Sequence, residues 1–246
     1  MIIQYAISRV SLYACVVVLL LSCTGTPTPS ISHTPSATGS PDQSDLRAIY
    51  ATLNNGGGRV LVIDPKLSSV RIYAFRGGPG AAAGHNHVLS ARQFLGYLYL
   101  PDKGVTNARF DLEFRLDQLA IDEPADRANL GEAFASVPSS GAIRRTRDHM
   151  LGEENLQADR FPLVRIHSTH VAGAVPKLAV EVQVELHGII KAILVPLTVA
   201  GLPDHVSASG ALVIRQSDFG IQPYSVLGGF LAVQDEVVVE FTLVGN

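Results

Sequence analysis

Gly84-His85-Asn86-His87 is the densest grouping in this chain of side chains able to do chemistry. If the segment is extended, residues i and i+2 point the same way, so His85 and His87 could reach one metal ion or one polar head group. Zinc would need a third protein ligand, and His149, His167, His170 or His187 could supply it only if the fold brought one close. No cysteine or clustered carboxylate flanks the pair. His167 and His170, three apart, are out of phase for one face of a strand and make no second pair. Two histidines hydrogen-bonded at a strand end would satisfy the same pattern without any ligand.

Other catalytic groupings are missing from the chain. There is no G-x-S-x-G elbow, no phosphate-binding Gly loop and no C-x-x-C. Asp148-His149 together with Ser139 or Ser140 has the residue types of a hydrolase, but a triad is defined by geometry and not by adjacency. The expectation is therefore a protein that is not an enzyme and carries no cofactor or bound metal. Arg144, Arg145 and Arg147 read as a solvated helix surface, with contact to an anionic head group or membrane surface as the alternative. A formal net charge of −3 offers no concentrated basic patch, which excludes nucleic acid as a partner.

The elements that must position these residues are strands. In Arg109-Phe110-Asp111-Leu112-Glu113-Phe114-Arg115-Leu116-Asp117 apolar and charged residues alternate strictly, the period of a strand with one buried and one wet face. The alternation returns in Leu178 to Leu186 and again at Val237, Val239, Phe241 and Leu243. Strands are expected over Arg59–Asp64, Ser68–Phe75, Gln93–Leu100, Ala108–Asp117, Leu163–His170, Lys177–His187, Ala192–Ala200, His205–Gln216 and Ala232–Val244. Gly and Pro clusters separate them. Pro196 inside one of them marks an edge or a bulge. Asp122 to Arg160 lacks strand pattern, and Asp126–Ala135 and Gly141–Leu151 read as helices there. With 47% hydrophobic residues, the chain can bury a substantial core, and one barrel-like domain accounts for all of this.

Ahead of that domain, Leu12 to Ser22 has the short apolar core of an export signal, with Arg9 as the only basic residue before it; a membrane span would need about 20 apolar residues. Leu20-Leu21-Ser22-Cys23 resembles the lipobox of bacterial lipoproteins, which implies a lipidated Cys23 at the new N-terminus and a mature chain without free thiols. Residues 1–22 are then the signal, 23–44 a disordered tether rich in Thr, Pro and Ser, and 45–246 the folded domain. The expected location is the cell envelope or periplasm, on a membrane surface.

Four motifs in order carry a further resemblance. Val62-Ile63-Asp64-Pro65 with Ser68-Ser69-Val70 opens the series. Arg147-Asp148-His149-Met150-Leu151 leads to Phe161-Pro162-Leu163-Val164-Arg165-Ile166-His167-Ser168. Val184-Glu185-Leu186-His187-Gly188 leads to Val195-Pro196-Leu197, and Ile214-Arg215-Gln216-Ser217-Asp218-Phe219-Gly220-Ile221 leads to Val233-Gln234-Asp235-Glu236-Val237. From Val60 to Val244 the chain resembles the YceI family of exported lipocalin-like proteins. The resemblance matches His87, ahead of a strand containing Gly96, and leaves His85 as an extra residue. It implies an all-β, antiparallel eight-stranded barrel with a helical insertion, whose apolar channel holds a long isoprenoid- or quinone-like lipid.

The alternating strands put Phe110, Leu112, Phe114 and Leu116 on one interior face and Val180, Val182, Val184 and Leu186 on another, with Phe94, Phe219 and Tyr224 near a mouth. Pattern alone would let these residues pack against one another; the resemblance implies that they line a channel. Three functions stay open at this stage: a lipid carrier, a metal- or redox-linked protein using His85 and His87 with His149 as a third polar residue at the mouth, and a filled barrel serving as a scaffold. A homodimer is also left open.

Overall fold

A computed structural model describes residues 43–246. The export signal, Cys23 and nearly all of the tether lie outside the described residues. The first element is α1 (Gln43–Asn55), which begins two residues before the boundary read at Asp45. After it come β1 (Arg59–Val62), β2 (Ser69–Gly77), β3 (His87–Ser90), β4 (Leu95–Leu100) and β5 (Arg109–Arg115). The interval without strand pattern holds β6 (Ala120–Ile121), α2 (Pro124–Arg127) and α3 (Ser140–Leu151). The chain closes with β7 (Leu163–Ala174), β8 (Lys177–Leu186), β9 (Ile189–Ala200), β10 (Val206–Arg215), β11 (Ser225–Val226) and β12 (Leu231–Gly245). The helix expected over Asp126–Ala135 stops at Arg127, and after Gly131, at a φ of 77°, only a single turn at Glu132–Phe134 resumes.

All strand pairs are antiparallel, and they form one curled sheet in the order β1-β4-β5-β7-β8-β9-β10-β12-β2-β3-β6, with β11 beside β12. The described residues thus hold twelve strands and not eight. Two physical causes account for the difference. The opening strand is interrupted around Pro65, so β1 pairs with β4 while β2 pairs with β12 and β3. The short β3, β6 and β11 are then added at the margins. The curl brings the end of β1 against the end of β12: Val62 N–H donates to Asn246 O (2.9 Å), Asn246 N–H to Val62 O (3.1 Å) and Asp64 N–H to Val244 O (2.8 Å). Gly96 permits this approach, because a Cβ there would sit 3.0 Å from Ile63 Cβ.

Register places Leu112 opposite Gly96 and Ile166, and Val180 and Val182 opposite Val195 and Ile193, so apolar side chains from successive strands share the concave face. The opposite face of β5 is not wet as the alternation suggested. Asp111 is 5% exposed and Glu113 0%. The reason is tertiary: α1 lies against β1 and β4 and buries Leu46 and Tyr50 there. The Tyr50 ring stacks on Tyr97 at 4.8 Å, and its hydroxyl donates to Asp111 Oδ2 at 2.7 Å. Arg109 Nε donates to the same oxygen (2.9 Å), His167 Nδ1 bonds Asp111 Oδ1 (2.7 Å), and Arg165 Nε donates to Glu113 (2.6 Å). Burial pushes the Asp111 carboxyl up, but hydrogen bonds from His167, Tyr50 and Arg109 outweigh it and hold the group below the usual carboxylate range. Burial and the Asp111 charge push the Tyr50 phenol upward, so it stays a donor.

Two irregularities have clear causes. A bulge between Ser168 and His170 inserts one residue into β7, which puts His167 and His170 on the same outer face and overturns the out-of-phase reading. Pro196 sits where the β9–β10 ladder ends, at Leu197 opposite Gly210; from Ile189 to Pro196, β9 pairs with β8 alone. Lacking an N–H, Pro196 suits this edge. The turn at Gln216–Phe219 packs against β9, β10 and β12 in the resulting wedge, with Phe219 only 1% exposed and His187 Nδ1 on Phe219 O at 3.0 Å.

Removing the phenol donor should leave Asp111 short of a partner in a buried site, so Tyr50→Phe is expected to cost about 1–3 kcal/mol in chemical unfolding. Because the folded-state pKa of Asp111 is depressed, its contribution is complete above the unfolded carboxylate pKa of about 4 and is lost as pH falls through the folded value. The melting temperature should therefore drop as pH is lowered below about 4, and Asp111→Asn should be less stable at neutral pH with a flatter acid limb.

Candidate functional site

The concave face does not close on itself: it encloses a cavity of about 600 Å³. Phe110, Leu112, Phe114 and Leu116 line it, as do Val180, Val182, Val184 and Leu186 from β8. Further apolar residues that were not named as lining from the sequence also contribute, among them Ile72, Leu98, Ile166 and Leu212, and Val239 and Phe241 of the closing alternation. Their own alternation was the available signal. Tyr224 lines the cavity too. Phe94 and Phe219 do not: Phe94 packs against the core from outside the strands, and Phe219 fills the wedge between β9 and β10.

One end of the cavity lies under α3. This helix is capped by Ser139, whose Oγ accepts from Ala142 N–H at 3.2 Å. It is tied to the segment after β5 by Arg147, which donates to Asp117 O (2.8 Å) and Leu119 O (2.6 Å). Arg147 is thus an anchor for the helix and not part of a solvated surface. Met150 faces the cavity, while Arg145 and His149 line it and remain exposed, which makes this the mouth. His149 stands 4.8 Å, ring to ring, from Tyr224.

Polar side chains elsewhere on the lining are mostly engaged. Ser168 Oγ accepts from Phe110 N–H at 2.7 Å, Asn155 donates to Gln222 O at 2.9 Å, and Gln216 donates to Gln234 O at 2.9 Å. His87 shares the cavity face of β3 with Leu89, and its Nδ1 lies 2.6 Å from Asp122 Oδ2. Asp122 is fully buried and also accepts Val88 N–H (3.0 Å) and the guanidinium of Arg127, itself buried. Burial pushes the Asp122 carboxyl up; the bonds from His87 and Val88 and the charge of Arg127 more than reverse this, so it is held low and ionised.

The two histidines do not act as a pair. His85 precedes β3, is absent from the cavity wall and bonds Ser136 Oγ at 3.1 Å through Nδ1. Its ring stands 6.5 Å from that of His87. Extended i, i+2 geometry fails because the strand begins only at His87. Of the third ligands considered, His167 and His170 are on the outer face and His187 bonds Phe219 O. Among the described residues no three His, Cys, Asp or Glu side chains come together in a metal-binding group.

No curated protein matches the chain. Among solved structures, Burkholderia cenocepacia BcnA superposes with a TM-score of 0.54 at 19% identity, covering 74% of this chain and 98% of that one. A polyisoprenoid binding domain from Saccharophagus degradans, implicated in plant cell wall breakdown, does so with a TM-score of 0.50 at 13% identity, covering 76% and 97%. At these identities the two structures share the fold with this chain. The model of the YceI-like domain family matches residues 62–245, the whole curled sheet from the end of β1 to the end of β12, and the chain therefore belongs to the YceI-like family.

Proposed function

We propose that this protein binds a long apolar amphiphile of the isoprenoid or quinone class inside the curled sheet and sequesters or carries it without covalent chemistry. The observation that carries this reading is the cavity itself, about 600 Å³ and walled almost wholly by aliphatic and aromatic side chains. That volume is in the range of sites that bury small ligands. A scaffold would have no use for the space, since native interiors pack close to the density of organic crystals. The name of the Saccharophagus domain, a polyisoprenoid binding domain of the same fold, supports the ligand class.

The binding mechanism is exclusion of water. At roughly 25 cal/mol per Å² of apolar area, an extended hydrocarbon chain is held with no charged contact. Arg145, His149 and Tyr224 give the mouth a polar rim that suits the head of an amphiphile, while the far end of the cavity, at Leu100, Val105 and Leu202, is apolar. Export and lipidation at Cys23 belong to the same proposal. They would hold the carrier at a membrane surface, where such lipids reside.

Full-length protein purified from its own host should show, in native mass spectrometry with solvent extraction, a stoichiometric polyprenyl or quinone-like species. An empty protein would sink the reading. Phe114→Asp and Val182→Asp each place a carboxylate in the cavity wall and should lower bound lipid at least tenfold in variants whose circular dichroism shows the native sheet. His85→Ala should leave lipid content unchanged, because that ring lies off the cavity wall.

A further inference from the structure

A large amount of buried structure fixes one polar atom at the cavity wall. His87 is 15% exposed, Asp122 0% and Arg127 5% at their side chains. Arg127 donates to Asp122 Oδ1, Asn86 O (2.9 Å), Phe134 O (2.8 Å) and Ser136 O (2.6 Å). Asp122 has a φ of 55°, in the left-handed region, and is pinned by its own N–H to Val88 O at 2.8 Å. A buried ion pair costs desolvation, and apolar residues of equal volume often serve stability as well or better. What this one achieves is orientation. Asp122, ionised, has no proton to give, so the N–H of a neutral His87 ring must sit on Nδ1 and donate to it. That leaves Nε2 as a bare lone pair, with no hydrogen-bond partner among the described residues, on a ring that lines the cavity.

We propose that His87 Nε2, aligned by Asp122 and Arg127, is a hydrogen-bond acceptor for the hydroxyl of the bound lipid, which selects prenyl alcohols and hydroquinone-type phenols over acceptor-only relatives such as ethers and quinone carbonyls. The proposal rests on the carrier reading and narrows its ligand. A hydroxyl donates to the lone pair; an ether or carbonyl oxygen sets lone pair against lone pair. Asp122 and Arg127 are positioning residues, which act through the His87 ring and not on the ligand.

The test compares geranylgeraniol with geranylgeranyl methyl ether, both binding to delipidated full-length protein at about pH 8. The native protein should prefer the alcohol by about tenfold, equivalent to 1.4 kcal/mol. His87→Phe should bring the two dissociation constants together. In Asp122→Asn the amide can donate to Nδ1, which moves the ring proton to Nε2; because an alcohol oxygen and an ether oxygen both accept from that N–H, the preference for the alcohol should be lost. A structural role for the trio would change melting temperature but not this ratio. Equal binding of both probes by the native protein, or an unchanged ratio in His87→Phe, overturns the proposal while leaving the carrier reading intact. If neither probe binds the native protein, the carrier reading itself falls, and this proposal with it. Should Asp122→Asn fail to fold, the His87→Phe comparison decides alone.

Discussion

Strand register is the constraint on which everything else here depends. Side chains alternate across a sheet with a period of two, so a slip of one residue exchanges the faces completely. For β5 such a slip would turn Arg109, Asp111, Glu113 and Arg115 into the cavity and Leu112 and Phe114 out of it. The pairing of Glu113 with Leu95 on one side and Arg165 on the other holds the register, and the ion pair between Arg165 and Glu113 reinforces it. With the faces fixed, the curl of the sheet collects apolar residues from nine of its strands around one space. Branched and aromatic side chains at that circumference do not reach across it, and the cavity is what remains.

The outer face shows the same logic applied to charge. Asp111 loses water under α1 and is matched by donors from Tyr50, Arg109 and His167, while Glu113, also buried, takes Arg165 on Oε2 and keeps Oε1 without a hydrogen bond among the described residues. The buried Asp111 favours one docking of α1, since any other would take away the phenol that donates to it. The helix that opens the described residues is therefore held by polar bonds as well as by the apolar contacts of Leu46 and Tyr50.

The interval between β5 and β7 contributes on two levels. Through Arg147, α3 is tied across one end of the sheet and sets a polar rim on an apolar space. Through Asp122 and Arg127, the short turns before it hold His87 in one orientation. An amphiphile needs both, an apolar volume for its chain and a small number of fixed polar groups for its head.

Alternation along Arg109–Asp117 and Leu178–Leu186, with turn residues between strands, was enough by itself to determine an all-β chain, the identity of the inward faces and most of the strand limits, because these follow from a local period. Phe110, Leu112, Phe114, Leu116 and the four β8 residues were legible for that reason. Whether those faces enclosed space or filled it was not, since the answer depends on the circumference of the curled sheet and not on any one strand. The bulge that aligns His167 with His170 and the removal of Phe219 from the wall to the wedge both arise from pairing between distant segments. The wet face expected for Asp111 and Glu113 failed because burial depends on what comes together in the fold: Tyr50 of α1, which bonds Asp111, is some sixty residues away in the chain, and Arg165, which bonds Glu113, some fifty. His87 was visible as a polar exception, but its partner lies 35 residues on, in a stretch with no recognisable motif. Local periodicity is written in neighbouring residues; cavities, ion pairs and the orientation of one imidazole are properties of segments that meet only when the chain has folded.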